Sequence, residues 1–438
     1  MKTILSLIIF VVLLFWIGQI YLSNKKKFRA VRYGQGEYYL LSRNMYFVIF
    51  SVCTAPIFLG SLALLKYGLW FITVLLLLFL GKVRLKFEAT TIMYSIFFLW
   101  LCYTMTYTTV PRDGAMMLIK YSLPMLFLWL GYSALNNEKD LIVFLKVVNV
   151  VACVWCLIMG GVAWVFIRPL YMFIMNFCSV YAAFADYLTV VFIVPILLYW
   201  LTKEKKYIFC ALWMVLSTVL QSVRTGMGGM MLVFVVALLL KDKVKAIPGL
   251  AIAGALFLGV ILFVPEVNEK FFGEDAGTVS AMDIVHGSAL SLDNIEMSGR
   301  EHIWEVSLDN CFRGNEIVGK GLGEAESFTR HLQRDGAVTK MHNDYIVVLC
   351  DAGIVGLVFI ILFYISVIVK VTSNVALRRS SLLVKLTGIM ALSSIVSIAF
   401  CMYFDNVVSN SMQSMVMPYL YLGLFLKALD LEKAIFNR

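Results

Sequence analysis

The sequence predicts an all-α protein that crosses a membrane many times. Of 438 residues, 61% are hydrophobic and only 15% are charged, against about 25% charged in a soluble domain. The apolar residues gather into stretches of about 20, each long enough as a helix to cross a hydrocarbon core of roughly 30 Å. The placement of lysine and arginine then orients the chain.

Thirteen spans follow, near 3–22, 45–64, 67–81, 90–108, 115–134, 141–167, 182–202, 207–222, 226–240, 247–264, 345–369, 384–403 and 411–427, with twelve to fourteen as the range. The least regular are the short pair around Lys66 and the stretch after Arg168, which reads equally as a re-entrant segment. The first span is long for a signal peptide and lacks a small-x-small cleavage site. Lys25, Lys26, Lys27, Arg29 and Arg32 follow it rather than precede it. That pattern predicts an uncleaved anchor with its N-terminus outside.

From that start, the cytoplasmic connections hold Lys82, Arg84 and Lys86, then Lys203, Lys205 and Lys206. Next come Lys241, Lys243 and Lys245, then Lys370, Arg378, Arg379 and Lys385. The opposite short connections carry little beyond Lys66, Arg112, Arg168 and Arg224. This alternation supports the orientation. It also accounts for the net charge of +10 without nucleic acid, because the charges are spread over separate loops rather than one patch.

The chain divides accordingly into N-terminal helices (1–264), one long polar loop (265–344), and C-terminal helices with a short cytoplasmic tail (345–438). The charge alternation puts the loop, about 80 residues long, outside the cytoplasm. Of nine cysteines, eight fall in or beside spans and only Cys311 lies in the loop, with no partner there. Cys153 and Cys156 form a C-x-x-C inside an apolar helix with no second pair, so small apolar packing explains them better than metal or redox chemistry.

All four histidines, His286, His302, His331 and His342, lie in the loop. Long connections between packed elements commonly carry function, and the absence of repeats or low-complexity tracts predicts a small folded cap. Within it, "SGREHIWEV" (298–306) reads as a helix start with Ser298 as N-cap and Glu301 completing a capping box. Arg300 then falls in the first turn, where free amides and the helix dipole suit an anion, phosphate above all. Trp304 is one turn further on the same face, and a surface arginine stacked on that ring is an equal reading. "GKGLGE" (319–324) lacks the G-x-x-x-x-G-K-[ST] spacing and reads as a turn.

"QSVRTGMGGM" (221–230) places Arg224 in a very short outer connection, followed by Gly226, Gly228 and Gly229. A charge at membrane depth needs a partner, water or a lipid phosphate, and the glycines would let backbone or a headgroup approach. Asp351 lies about nine residues into its span, on the helix face opposite His342. Pairing with another helix suits it better than catalysis. Lys120, Arg168 and Asp186, near the outer ends of their spans, are second-tier candidates for lining the same cavity.

These residues suggest a division of labour. Arginines can hold a diphosphate and stabilise charge as it departs, while a histidine that titrates near neutrality can deprotonate a hydroxyl. No D-x-D pair offers a metal for a nucleotide sugar, and no H-E-x-x-H or H-x-x-E-H spacing exists. Metal-independent transfer from a polyprenyl diphosphate, without a cofactor, is the sharpest expectation.

His342 and Asn343 are followed by nine residues, then Gly353, two more, and Gly356. This H-N-x(9)-G-x-x-G run, with Tyr345, resembles the signature of the O-antigen ligase and O-antigen polymerase superfamily of bacterial surface polysaccharide assembly. Arg224, following a span in an S-x-R-like context, and Arg300 with Trp304, as R-x-x-x-W, match its other landmarks in order. Asp351 stands where that family commonly has glutamate, and its ligases resemble twelve-span proteins.

The resemblance implies a GT-C-type glycosyltransferase of the bacterial inner membrane with its site on the periplasmic face. Its donor would be a glycan on undecaprenyl diphosphate, with His342 as general base, Arg224 and Arg300 on the diphosphate, and Trp304, Asn343 and Tyr345 at the substrate. A polymerase would extend a lipid-linked repeat unit, the preferred expectation; a ligase would transfer to lipid A-core. A transporter or flippase of lipid-linked glycans would explain the spans and the membrane-depth arginines. It would not explain a folded outer loop holding every histidine, and no half-and-half repeat of broken helices is present.

Overall fold

The computed structural model describes residues 32–33, 37–38, 43–56, 63–159, 181–272, 300–334, 341–377, 379–410 and 412–436. The first predicted span, the stretch around Arg168, His286 and the Ser298 cap lie outside them.

Eight helices among the described residues are long and apolar enough to cross a membrane, and four shorter apolar helices accompany them. Together they account for every predicted span except 3–22. In chain order these are α1 (Arg43–Thr54), α2 (Ala63–Phe79), α3 (Ala89–Thr104), α4 (Pro111–Ala134) and α5 (Glu138–Met159). A broken pair follows, α6 (Tyr181–Val191) and α7 (Ile193–Thr202), then α8 (Lys206–Leu220), α9 (Arg224–Lys241) and α10 (Lys243–Phe263). The loop contributes α11 (Pro265–Phe272), α12 (Arg300–Ser307) with a π turn over Leu308–Phe312, and α13 (Glu324–Arg334). The chain closes with α14 (Asp344–Val375), α15 (Leu382–Phe404), the one-turn α16 (Val407–Asn410) and α17 (Met412–Phe436). The β-structure among the described residues is one antiparallel ladder of two-residue strands, Arg32–Tyr33 with Glu37–Tyr38.

The bundle has a packed interior and an apolar exterior. Phe79 and Phe263 are 91% and 84% exposed. In water each would forgo roughly 1.5–3 kcal/mol of burial; against lipid tails that penalty disappears. Inside, association relies on close packing of small residues. α4 and α17 touch backbone to backbone, where a Cβ at Gly131 or Gly423 would collide with the carbonyl of Leu420 or Leu128. α9 and α15 run antiparallel, with Gly228 against the Phe400 ring and Gly229 against Thr189 and Ser397, whose hydroxyl donates to the Gly229 carbonyl at 3.0 Å. Gly226 abuts Ala185 and Thr218. The glycines after Arg224 therefore admit neighbouring helices, not the lipid headgroup that the sequence left open.

The connections sort to two ends. At one, Lys86 pairs with Asp430 at 2.7 Å and Lys370 with Glu88 at 3.0 Å. This is the end that the charge alternation assigns to the cytoplasm. The loop helices, the start of α14 and the end of α15 gather at the other.

α14 is broken at Gly353, whose φ of 67° and ψ of −170° lie in a region essentially reserved for glycine. A break in an apolar environment frees backbone groups, each costing several kcal/mol if left unpaired. The "GKGLGE" strap and the residues before it satisfy them. Lys320 N and Gly321 N donate to the carbonyls of Cys350 and Asp351 at 2.8 and 3.2 Å. Ile354 N and Val355 N donate to the carbonyls of Glu316 and Ile317 at 2.8 and 3.2 Å. The Trp100 indole N–H takes the Ala352 carbonyl at 2.8 Å. The strap is a turn, as expected, and it splices the loop into the helix that begins just after His342.

Candidate functional site

His342 sits immediately before the Asn343 cap of α14 with a left-handed backbone, φ +50°, a strain of order 1–3 kcal/mol for a non-glycine residue. Both neighbours hold it there. On one side the Trp304 indole N–H donates to the Met341 carbonyl at 2.6 Å. On the other, the Asn343 side-chain oxygen accepts from the amides of Tyr345 and Ile346 at 3.0 and 3.2 Å, a strong N-cap.

The imidazole is thereby set with Nδ1 3.1 Å from Asp405 Oδ1, His342 half-buried and Asp405 buried. An ionised carboxylate only accepts, so opposite one Nδ1 is the donor, and a neutral ring in that tautomer keeps its lone pair on Nε2.

Asp405 ends α15 in an extended conformation, and the same Oδ1 accepts from the Asn406 amide at 2.7 Å. Asp344, fully buried, accepts from the Val408 amide at 3.0 Å. The tripeptide 342–344 thus works in three directions. His342 meets Asp405, Asn343 caps its own helix, and Asp344 grips the turn that presents Asp405.

Arg300 arrives from the loop. Its Nη1 donates to the Phe404 carbonyl at 2.5 Å, one residue from Asp405. Burial pulls the guanidinium below its usual range and the charge of Asp405 opposes that pull; arginine stays protonated throughout. His342 and Arg300, 42 positions apart in chain order, therefore converge on Asp405 and Phe404, consecutive residues where α15 ends.

Arg224 reaches the same end through helix register. With Gly228 against Phe400 and Gly229 against Ser397, the antiparallel α9 begins level with the end of α15. Its guanidinium lies over the Phe271 ring of α11, 5.7 Å from the centroid.

The other predicted residues fall into place around this centre. Trp304 and Asn343 direct their polar groups into the protein, as described. The Tyr345 hydroxyl does likewise, donating to the Ala399 carbonyl at 2.8 Å and tying α14 to α15. Asp351 accepts from the amides of Gly323 and Ala325, both at 2.9 Å, and so fixes the start of α13. Lys120 donates to the Ser409 carbonyl at 3.4 Å beside Asp344. Asp186 is buried on α6 next to Cys401, near the first turn of α9. Arg168 lies outside the described residues. Cys311, which has no partner within the loop, meets the thiol of Cys350 on α14; that contact lowers its pKa below the usual thiol range.

Two residues escaped the sequence reading. Asp405 is an acidic residue just past the end of an apolar span, whereas Asp351, which the sequence does single out, lies about nine residues into one. Lys270 follows the α10 span and donates to the Ser222 carbonyl at 3.1 Å beside Arg224.

None of the curated proteins matches the chain. Residues 209–361 match the family model described as O-antigen ligase. That stretch runs from α8 into α14 and includes Arg224, Arg300, Trp304, His342 and both glycines of the G-x-x-G, while Asp405 lies beyond it. Over this segment, about a third of its length, the chain is similar to the O-antigen ligase family.

Proposed function

We propose that this protein transfers a glycan from undecaprenyl diphosphate to a sugar hydroxyl on the outer face of a bacterial inner membrane, without a metal or cofactor. The observation that carries the reading is the His342–Asp405 pair, held at 3.1 Å at the end of the bundle where Arg300 and Arg224 also arrive. Asp405 keeps hydrogen on Nδ1 and steadies the imidazolium that forms, so Nε2 serves as general base.

The acceptor oxygen attacks the anomeric carbon as His342 takes its proton. A C–O bond forms, the bond between the anomeric carbon and the phosphate oxygen breaks, and undecaprenyl diphosphate leaves with the electron pair. Arg300 and Arg224 neutralise the charge growing on the leaving diphosphate. Trp304, Asn343 and Tyr345 hold the backbone on which these groups stand, and the substrate meets the charged side chains between them.

Repeat-unit polymerisation is the first reading, with a lipid-linked repeat unit as acceptor. Ligation to lipid A-core is the second, favoured by the description of the matching family. Deleting the gene separates them: single-repeat surface glycan marks a polymerase, and long unattached chains mark a ligase.

The chemistry is tested with purified protein, lipid-linked glycan and acceptor in the absence of ATP. Product and free undecaprenyl diphosphate should appear in equal amounts, and His342→Ala should reduce transfer by roughly 10²–10⁴-fold while donor still binds. Wild-type turnover in that variant would remove His342 as the base, and transport without a covalent product would make the protein a transporter.

A further inference from the structure

We propose that Cys311 and Cys350 form a disulfide, joining the loop that carries Arg300 to the helix that begins beside His342. The proposal rests on the reading that puts this loop on the outer face of the membrane, and it goes beyond the transfer reaction.

The two positions, 39 apart in chain order, are brought together by a built frame. Cys311 is buried in the π turn over Leu308–Phe312. Cys350 is buried on α14, three residues before the break at Gly353. The Cys350 Sγ sits 3.7 Å from the Ser307 carbonyl, and Ser307 lies about one helical turn before Cys311. The strap pins both flanks. The Lys320 amide donates to the Cys350 carbonyl at 2.8 Å. The Lys320 ammonium donates to the carbonyl of Asn310, the residue before Cys311, at 3.4 Å. One strap residue therefore holds the backbone beside each thiol. Inside this frame the thiols share a hydrogen bond, which holds Cys311 below the usual thiol range against the opposing pull of burial.

Location supplies the chemistry. Disulfides form and persist in oxidising compartments outside the cytoplasm, the bacterial periplasm among them. The other described cysteines lie within the apolar helices, whereas Cys311 belongs to the polar loop. The oxidant is a disulfide-bearing thiol oxidant of that compartment. The Cys311 thiolate attacks its disulfide, forming a mixed disulfide and releasing one of the oxidant's thiols. The Cys350 thiolate then attacks the Cys311 sulfur and releases the second. Two cysteine thiols become one disulfide, and the oxidant's disulfide becomes two thiols that take both protons. A thiol held low is the better one to begin. Both residues are sealed from solvent in the folded protein, so the exchange belongs to the docking of the loop on α14, and the product is afterwards shielded from reductants.

α12, with Arg300 and Trp304, runs straight into the π turn. A bond at Cys311 anchors it to the helix that starts after His342. Closing the intervening chain restricts the unfolded state, so the effect falls on stability rather than turnover.

The test starts from full-length protein purified without reductant and denatured in excess N-ethylmaleimide, then reduced and treated with isotopically heavy N-ethylmaleimide. Peptide masses should show the heavy label on Cys311 and Cys350 and the light label on the other cysteines. Light label on both, with the loop facing outward, would overturn the proposal. Orientation is read separately, from His331→Cys in a Cys311→Ser/Cys350→Ser chain. In spheroplasts that exposed position should react with a membrane-impermeant maleimide. Reaction only after lysis would put the loop in the cytoplasm and remove the outer-face reading together with the link. Stability gives a second arm. Cys311→Ala, Cys350→Ala and the double variant should each lower the thermal midpoint by the same amount, about 5 °C, with kcat within about twofold. Single losses that add in the double variant would mark two separate packing effects and contradict the link.

Discussion

Asp351 and Asp405 are both withdrawn from solvent, 2% and 4% exposed, and both lie in the half of the bundle that carries His342. Asp351 accepts two backbone amides, Gly323 and Ala325, one on each carboxylate oxygen. Asp405 accepts one amide, Asn406, and turns the same oxygen toward the His342 imidazole. Aspartates of similar burial are therefore used in different ways. A carboxylate saturated by amides builds structure, here fixing α13 and the strap against α14. A carboxylate that meets an imidazole can set the tautomer and orientation of that ring. Burial alone does not distinguish the two; the donor each one faces does.

Substitutions can break or sharpen this contrast. Of the two aspartates, Asp405 carries the larger effect on turnover. Asp405→Ala should lower kcat about 100-fold, as for other residues that orient a catalytic imidazole or ligand. Donor KM and thermal midpoint should stay close to wild type. A steady-state comparison showing the loss in KM instead would put Asp405 in donor binding.

Asp351→Ala should do the reverse. Two buried amides lose their acceptor, at about 2 kcal/mol each, so a denaturation midpoint falls clearly. Transfer per folded molecule should remain within about threefold. A collapse of kcat at full stability would erase the distinction between the two aspartates.

Gly353→Ala probes the splice that Asp351 helps to close. A Cβ there meets the Ile317 carbonyl in a conformation open essentially to glycine alone, which should cost about 3 kcal/mol. The change is read as faster proteolysis of the loop and a lower midpoint.

The smallest effect belongs to Trp304→Phe, which removes the indole donor to Met341 and leaves most of the ring contact with Tyr403. About 1 kcal/mol of restraint on the His342 backbone is lost, giving a roughly fivefold lower kcat at unchanged stability. Loss of donor affinity in its place would return Trp304 to direct substrate contact.

The bundle was legible because apolar stretches of membrane length announce themselves, and Lys86 and Lys370, from two of the basic connections, meet Asp430 and Glu88 at one end. His342, Arg224 and Arg300 were legible because polar chemistry at the ends of apolar spans is rare enough to single out. The spacing from His342 to Gly353 and Gly356 was legible as a pattern. Its reason, a helix break filled by the strap at 316–321, depends on backbone angles and on partners 30 or 38 positions away. Asp405 was missed because it is 63 residues from His342 in the chain and only the turn gripped by Asp344 brings it back. The sequence places Asn343, Trp304 and Tyr345 at the substrate, while the structure shows their polar side-chain atoms bonded to backbone groups; a sequence gives a residue's chemistry without its direction.

The central claim is that His342 and Asp405 act as one unit in deprotonating the acceptor. A double-mutant cycle of His342→Ala and Asp405→Ala, read as kcat for glycan transfer with saturating donor, tests it most directly. The double variant should be no slower than His342→Ala alone, because removing the base leaves Asp405 nothing to orient. Losses that multiply, with the double variant slower by the product of the two single effects, would show that the residues act independently and contradict the account.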